Sequence, residues 1–221
     1  ISKKINDFEL KAGINIKLRV FVEFHPKFGL KFNVQDIDPS YTLGEIAKNR
    51  QSIIARLINE SIWQVNKSKS LPAVIKNIAV ITSLSSAGRK DFEAHLIENP
   101  LNYTFRLTYF ESSMQGSRTC EDIVNSLKVI NSQKKKYDCV VIIRGGGAKL
   151  DLIEFDSYDI AKEMSNCEIP ILTGIGHEQD ESITDMSAYL KIKTPTAVAE
   201  YIIRYNSNYE TTIVEKYHSI V

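Results

Sequence analysis

The chain has 221 residues, 43% of them apolar, with 28 Lys+Arg against 27 Asp+Glu. This allows one ordinary domain with a real core plus pieces of others, and the near-balance of charge excludes a global basic field, so any nucleic-acid site must be local. No apolar run approaches the ~20 residues of a membrane helix, no signal peptide opens the chain, and Cys120, Cys139 and Cys167 lack CxxC spacing, so a cytoplasmic protein with reduced, buried cysteines and no membrane partner is expected.

Residues 1–38 are predicted to be strands. Ile14, Ile16, Leu18, Val20 and Val22 recur close to a period of two. A turn at His25-Pro26-Lys27-Phe28-Gly29 leads to Leu30, Phe32 and Val34. The expectation is one hairpin plus an approach strand, the tail of a β-domain or a segment packed on the next part of the chain. Because the first residue is Ile1, a trimmed start is expected. Phe21, Phe24, Phe28 and Phe32 could stack bases, but four aromatics on two strands more often belong to a core.

Residues 42–61 are predicted as a helix capped by Thr42, with Glu45 at capping-box spacing. A polar loop over 64–70 ends at Leu71-Pro72. Residues 76–190 then alternate strand and helix. Strands are expected at 78–82, 102–110, 139–143 and 169–173, helices at 86–98, 119–132 and 158–166. The runs Ile78 to Thr82 and Cys139 to Ile143 are continuously apolar, as buried parallel strands are. This predicts an α/β fold, a mostly parallel sheet flanked by helices. From Pro195, a residue suited to a helix start, Val198, Ile202, Tyr205, Tyr209, Ile213, Tyr217 and Ile220 form one apolar stripe, the expected start of a coiled coil that the chain leaves mid-pattern.

In open parallel sheets ligands sit beyond the carboxyl ends of the strands. Four polar loops are expected there. Thr82-Ser83-Leu84-Ser85-Ser86-Ala87 leads into the helix that carries Asp91. Small hydroxyl residues at a helix start suit an anion, although N-capping by Ser85 or Ser86 is the ordinary reading. Arg144-Gly145-Gly146-Gly147 follows the most apolar strand. Three glycines let backbone N–H groups approach and cradle a phosphate, and Arg adds a two-pronged donor. The loop is neither a Walker loop nor a GxGxxG dinucleotide loop. Gly174-Ile175-Gly176-His177-Glu178-Gln179-Asp180 places a proton-transferring His near an Asp that could orient it. His177, Asp180 and Asp185 are also conceivable metal ligands, at a spacing that is not a specific signature. The fourth loop, Glu111 to Gly116, carries the weakest signal.

Taken together, Thr82 to Asp91, Gln115-Gly116, Arg144 to Gly147, Gly174 to Asp180 and Thr194 to Glu200 resemble the exonuclease VII large subunit, in register along the whole chain. The resemblance implies the last strands of an OB-fold at 1–40, a helical linker at 41–75, the catalytic α/β domain at 76–194 and the start of a coiled coil at 195–221. It implies hydrolysis of single-stranded DNA to oligonucleotides from either end, with several copies of a small subunit held by the coiled coil. The family's catalytic positions fall on Asp91, Arg144, His177 and Asp180. Ser83, Ser85, Ser86 and Gly145 to Gly147 would bind phosphate. The departures lie at the flanks: Ser86 replaces a usual Gly, Ala148 and Leu150 replace Ser and Glu, and Tyr189, Lys191 and Lys193 also differ.

Two chemistries fit these residues. In one, no metal is required and His177 passes the proton. In the other, Mg2+ sits on Asp91 and Asp180. Two readings outside the nucleases also fit the sequence. One is an α/β enzyme clamping a small phosphorylated ligand with Arg144. The other is a DNA-binding scaffold that works through Lys17, Lys27 and Lys31.

Overall fold

The computed structural model describes residues 15–146, 149–176 and 181–220. The chain divides into two compact units, Ile1–Ile53 and Ile54–Val221. In the first, β1 (Lys17–His25) and β2 (Gly29–Asp38) pair antiparallel, from Lys17 opposite Asp38 to His25 opposite Gly29. The turn closes with the Phe28 N–H donating to the His25 carbonyl at 3.2 Å. Gly29 enters β2 at φ +75°, a conformation open to glycine. The hairpin is as predicted, but the core role favoured for its aromatics is not. Phe21, Phe24, Phe28 and Phe32 are each more than half exposed. A two-stranded ladder has no second layer of its own to cover either face. The approach strand expected before residue 14 lies outside the described residues.

Helix α1 (Pro39–Asn59) begins earlier than the apolar pattern indicated. Asp38 Oδ1 accepts from the N–H groups of Ser40 at 3.1 Å and Tyr41 at 3.4 Å, so Asp38 is the cap. Thr42 lies inside the helix, where its hydroxyl donates to the Asn15 carbonyl at 3.0 Å.

The second unit is built on a five-stranded sheet, parallel throughout. Its strands are β3 (Asn77–Thr82), β4 (Arg106–Glu111), β5 (Cys139–Ile143), β6 (Ile171–Gly174) and β7 (Leu190–Lys191), in the order β4-β3-β5-β6-β7. The helices are α2 (Ala87–Ile97), α3 (Thr119–Ser132), α4 (Tyr158–Asn166), α5 (Ile183–Ser187) and α6 (Pro195–Ile220). Alternate residues of a strand face opposite sides, and the core divides accordingly. Ile78 and Val80 pack with Phe92 and Leu96 of α2 and with Val198 and Ile202 of α6. Ala79 and Ile81 pack with Ile123 and Leu127 of α3 and with Ile160 and Met164 of α4. All four β3 residues are fully buried, as a strand covered on both faces must be.

Some boundaries move. β4 starts at residue 106 rather than 102, because Asn99 builds a turn first. Its side chain donates to the Leu96 and Tyr103 carbonyls and accepts from the Tyr103 N–H. The strand expected at 169–173 pairs over 171–174 instead. Five short elements were not predicted: 3-10 turns at Val65–Ser68, Lys134–Lys136 and Lys149–Phe155, and α5 and β7. The first of these carries Asn66, which is fully buried. Its Nδ2 faces the carbonyls of Met164, Cys167 and Ile169, and its Oδ1 accepts from the N–H groups of Ile171 and Tyr189. One side chain thereby joins the end of α4 to the start of β6.

The topology marks a candidate place for a ligand. β3 runs on to its neighbour β4 on one side, while β5 lies on the other side and runs on to β6. The order reverses between β3 and β5, and open parallel sheets bind ligands at the carboxyl end of that reversal.

Candidate functional site

At that point three loops line one cleft of about 420 Å³. The loop after β3 supplies Ser83, Ser85, Ser86 and Ala87. The loop after β4 supplies Ser113, Met114 and Gln115. The loop after β5 supplies Arg144, Gly145 and Gly146. The volume lies within the ~300–1,000 Å³ of small-ligand sites and exceeds a lone phosphate several-fold. Six of the residues expected from the sequence thus meet in one place: Ser83, Ser85, Ser86, Arg144, Gly145 and Gly146. Gly147 lies outside the described residues.

Glycine makes the meeting possible. A Cβ on Gly88, in the first turn of α2, would stand 2.9 Å from the Gly145 Cα and 3.0 Å from Pro195 Cγ. A Cβ on Gly174, at the end of β6, would stand 2.8 Å from Val198 Cγ2 and 3.2 Å from the Thr194 carbonyl. The starts of α2 and α6 therefore rest directly on the exits of β5 and β6. Helix starts present amides with no acceptor inside the helix. Here the α2 start is seated against the glycine loop.

The polar groups are held in place. Ser86 Oγ accepts from the Arg89 N–H at 3.2 Å, so it caps α2 while also lining the cleft. The hydroxyls of Ser83 and Ser85 lie 3.2 Å apart. Arg144 is 5% exposed, and burial lowers its pKa from the ordinary value. A guanidinium starts so high that it keeps its charge at neutral pH. The Arg144 N–H donates to the Gly174 carbonyl at 3.2 Å, tying the β5 exit to the β6 exit.

On the β4 side, the Ser113 N–H donates to Asp122 Oδ2 at 2.9 Å. The Ser113 hydroxyl, and then its N–H, hold the Asp122 carboxyl below its usual pKa. This wall has the weakest signal in the sequence. Gln115-Gly116 is all of it, and Gly116 does take φ +85°. Gly88 has no sequence signal, because a glycine near a helix start carries no signature until its neighbour across the fold is known.

The four residues matched to the family's catalytic positions fare differently. Arg144 is in the cleft. Asp91 is exposed on α2 and is not among the described residues lining the cleft. It sits four residues after Ala87, hence on the same helix face as a residue that does line it, and helical side chains lean toward the N-terminus. His177 and Asp180 lie outside the described residues. Asp185, a conceivable metal ligand by spacing, uses both carboxylate oxygens on Thr173 and Ser182. Among the described residues no group of three or more His, Cys, Asp or Glu is placed to hold a metal ion. No helix among them is long and apolar enough to cross a membrane.

Residues 62–220 match the family model described as "Exonuclease VII, large subunit". Three curated proteins named "Exodeoxyribonuclease 7 large subunit" are similar along most of the chain. The one from Deinococcus radiodurans is 33% identical over 199 residues, 88% of this chain and 47% of that protein. That from Lactobacillus gasseri is 30% identical over 94% of this chain and 45% of that protein. That from Clostridium novyi is 30% identical over 93% of this chain and 50% of that protein. The chain spans about half the length of the curated relatives it matches.

Proposed function

Because this chain belongs to the family of exonuclease VII large subunits, we propose that it hydrolyses the phosphodiester bonds of single-stranded DNA, releasing oligonucleotides from either end. The observation that carries this reading is the cleft at the sheet's reversal point, where Arg144 and Gly145 meet the start of α2.

Arg144 and the N–H groups of Gly145 to Gly147 hold the scissile phosphate and stabilise the charge that builds on it in the transition state. Water attacks phosphorus, the bond to the leaving oxygen breaks, and one proton passes from the water to the leaving side. His177 carries that proton, as base to water or acid to the leaving oxygen, a role worth ~10²–10⁴-fold. Asp180 or Asp91 orients the imidazole and supports its cation. No metal is required in this scheme; Mg2+ on Asp91 and Asp180 is the competing one.

In the same reading residues 1–40 are the last strands of an OB-fold and 41–75 a helical linker. Residues 76–194 are the catalytic domain. From 195 on, α6 begins a coiled coil that holds several copies of the small subunit. The exposed hairpin aromatics, and Tyr209, Ile213 and Tyr217 exposed along α6, support these roles. The enzyme acts in the cytoplasm. The test is His177→Ala in the assembled enzyme. Cutting of single-stranded DNA is expected to vanish while thermal unfolding stays unchanged; cutting at the normal rate would sink the reading.

A further inference from the structure

The β4 wall of the cleft is anchored residue by residue. The Ser112 N–H donates to the Thr82 carbonyl at 3.0 Å, and its hydroxyl lies 2.9 Å from that of Ser126 on α3, both residues being buried. The Ser113 N–H donates to Asp122 Oδ2 in the first turn of α3. Met114 is buried in the same cluster as Ile123 and Leu127 of α3. Gly116 turns the chain at φ +85°, and its carbonyl accepts from the Thr119 N–H at 3.1 Å. Gln115 stands between these anchors, exposed and lining the cleft. A side chain carried by an anchored backbone has less freedom to lose when it binds.

The walls of the cleft differ in chemistry. The β5 and β3 sides carry a guanidinium, glycine amides and serine hydroxyls, a set that suits a phosphate. The β4 side, lined by Ser113, Met114 and Gln115, carries no cation. Gln115 brings an uncharged carboxamide, with two N–H donors and one oxygen acceptor. That pairing of donor and acceptor matches the edge of a nucleobase. The two sides are also well separated. β4 and β5 flank β3, and with about 4.8 Å between neighbouring strands their exits stand about 10 Å apart. A lone phosphate does not span that distance, whereas a nucleotide with its sugar and base does.

We propose that Gln115 is a specificity-determining residue: its carboxamide hydrogen-bonds the base of the nucleotide whose phosphate is held by Arg144 and the glycine loop. The inference deepens the nuclease reading above and rests on it. It gives the β4 wall a task, with phosphate on one side of the cleft and base on the other, and it accounts for a cleft several-fold larger than a phosphate. An unpaired base offers all its edges to such a contact.

The test compares Gln115→Ala with wild type in the assembled enzyme, with Arg144→Ala alongside. Two unlabelled oligonucleotides of equal length compete against the cutting of a labelled single strand. One is ordinary; the other has the same phosphates but an abasic tetrahydrofuran unit at every position. In Gln115→Ala the inhibition constant of the ordinary competitor is expected to rise about 3–10-fold, the loss of one or two hydrogen bonds. That of the abasic competitor is expected to change by less than about twofold, because it has no base to lose. Equal rises for both would put Gln115 on the backbone and overturn the proposal. No rise for either overturns it too, and so does complete loss of cutting at unchanged Tm, which would make Gln115 part of the chemistry. In these three cases an impaired Arg144→Ala leaves the nuclease reading standing. If Arg144→Ala cuts at the wild-type rate, the nuclease reading falls and this inference with it.

Discussion

At the scale of single residues, the site depends on atoms that are absent. Gly88 lets the start of α2 touch the loop that carries Arg144, and an added methyl would press on the Gly145 backbone at 2.9 Å. Gly146, one residue further along the loop, has nothing within 4 Å of the corresponding position. The two glycines therefore differ in a testable way. Gly88→Ala is expected to cost about 1–3 kcal/mol, the usual penalty of overpacking, and to lower cutting because the loop must shift. Gly146→Ala is expected to leave Tm unchanged or slightly raised. Thermal unfolding of the two variants checks this, and equal Tm values would refute the close-approach argument. Arg144 was legible from the sequence because charge and glycine stand together after an apolar strand. Asn66 was not. It sits in a polar stretch, and the carbonyls and N–H groups it joins belong to residues far along the chain.

At the scale of elements, legibility followed length. β3 and β5 are continuous apolar runs, and α2, α3, α4 and α6 are long enough to show a face, so all six were placed within a residue or so. α5 and β7 are too short to carry a period, and bonds to distant residues fix α5 instead. α6 divides along its length. Its first half is anchored by buried Val198 and Ile202 and by Asn206, whose side chain accepts from the Ile75 N–H and donates to the Ile75 carbonyl, both at 2.8 Å. Its second half exposes Tyr209, Ile213, Val214 and Tyr217. Asn206→Ala strands a buried N–H and a buried carbonyl, at about 1–3 kcal/mol each. For a unit of this size that is a Tm loss on the order of 2–4 °C per kcal/mol. Ending the chain after Glu210 is expected to change Tm by less than about 2 °C on the same scale. A larger fall on truncation than on Asn206→Ala would mean that the second half of α6 carries stability the burial pattern does not reveal.

At the scale of the whole molecule, the candidate cleft belongs to the second unit. The sheet there reverses its order between β3 and β5, and that reversal gathers residues from three loops into one cleft. The fold class could be read from strand and helix alternation, because a parallel sheet covered on both faces leaves unmistakable apolar runs. The cleft's β4 wall could be read only faintly, as the weakest of four polar loops, since Ser113 and Met114 have no pattern of their own and gain their place from the crossover that brings β4 beside β3. The central claim is that this cleft cuts single-stranded DNA through Arg144. The most direct measurement is cleavage of an end-labelled single-stranded oligonucleotide by the assembled enzyme, wild type against Arg144→Ala, with and without EDTA. The account predicts cutting that survives EDTA and falls by about 10²-fold or more in the variant, the size expected when a donor to transition-state charge is removed. Loss of cutting in EDTA would move Asp91 and Asp180 to metal ligands, and undiminished cutting by Arg144→Ala would contradict the account.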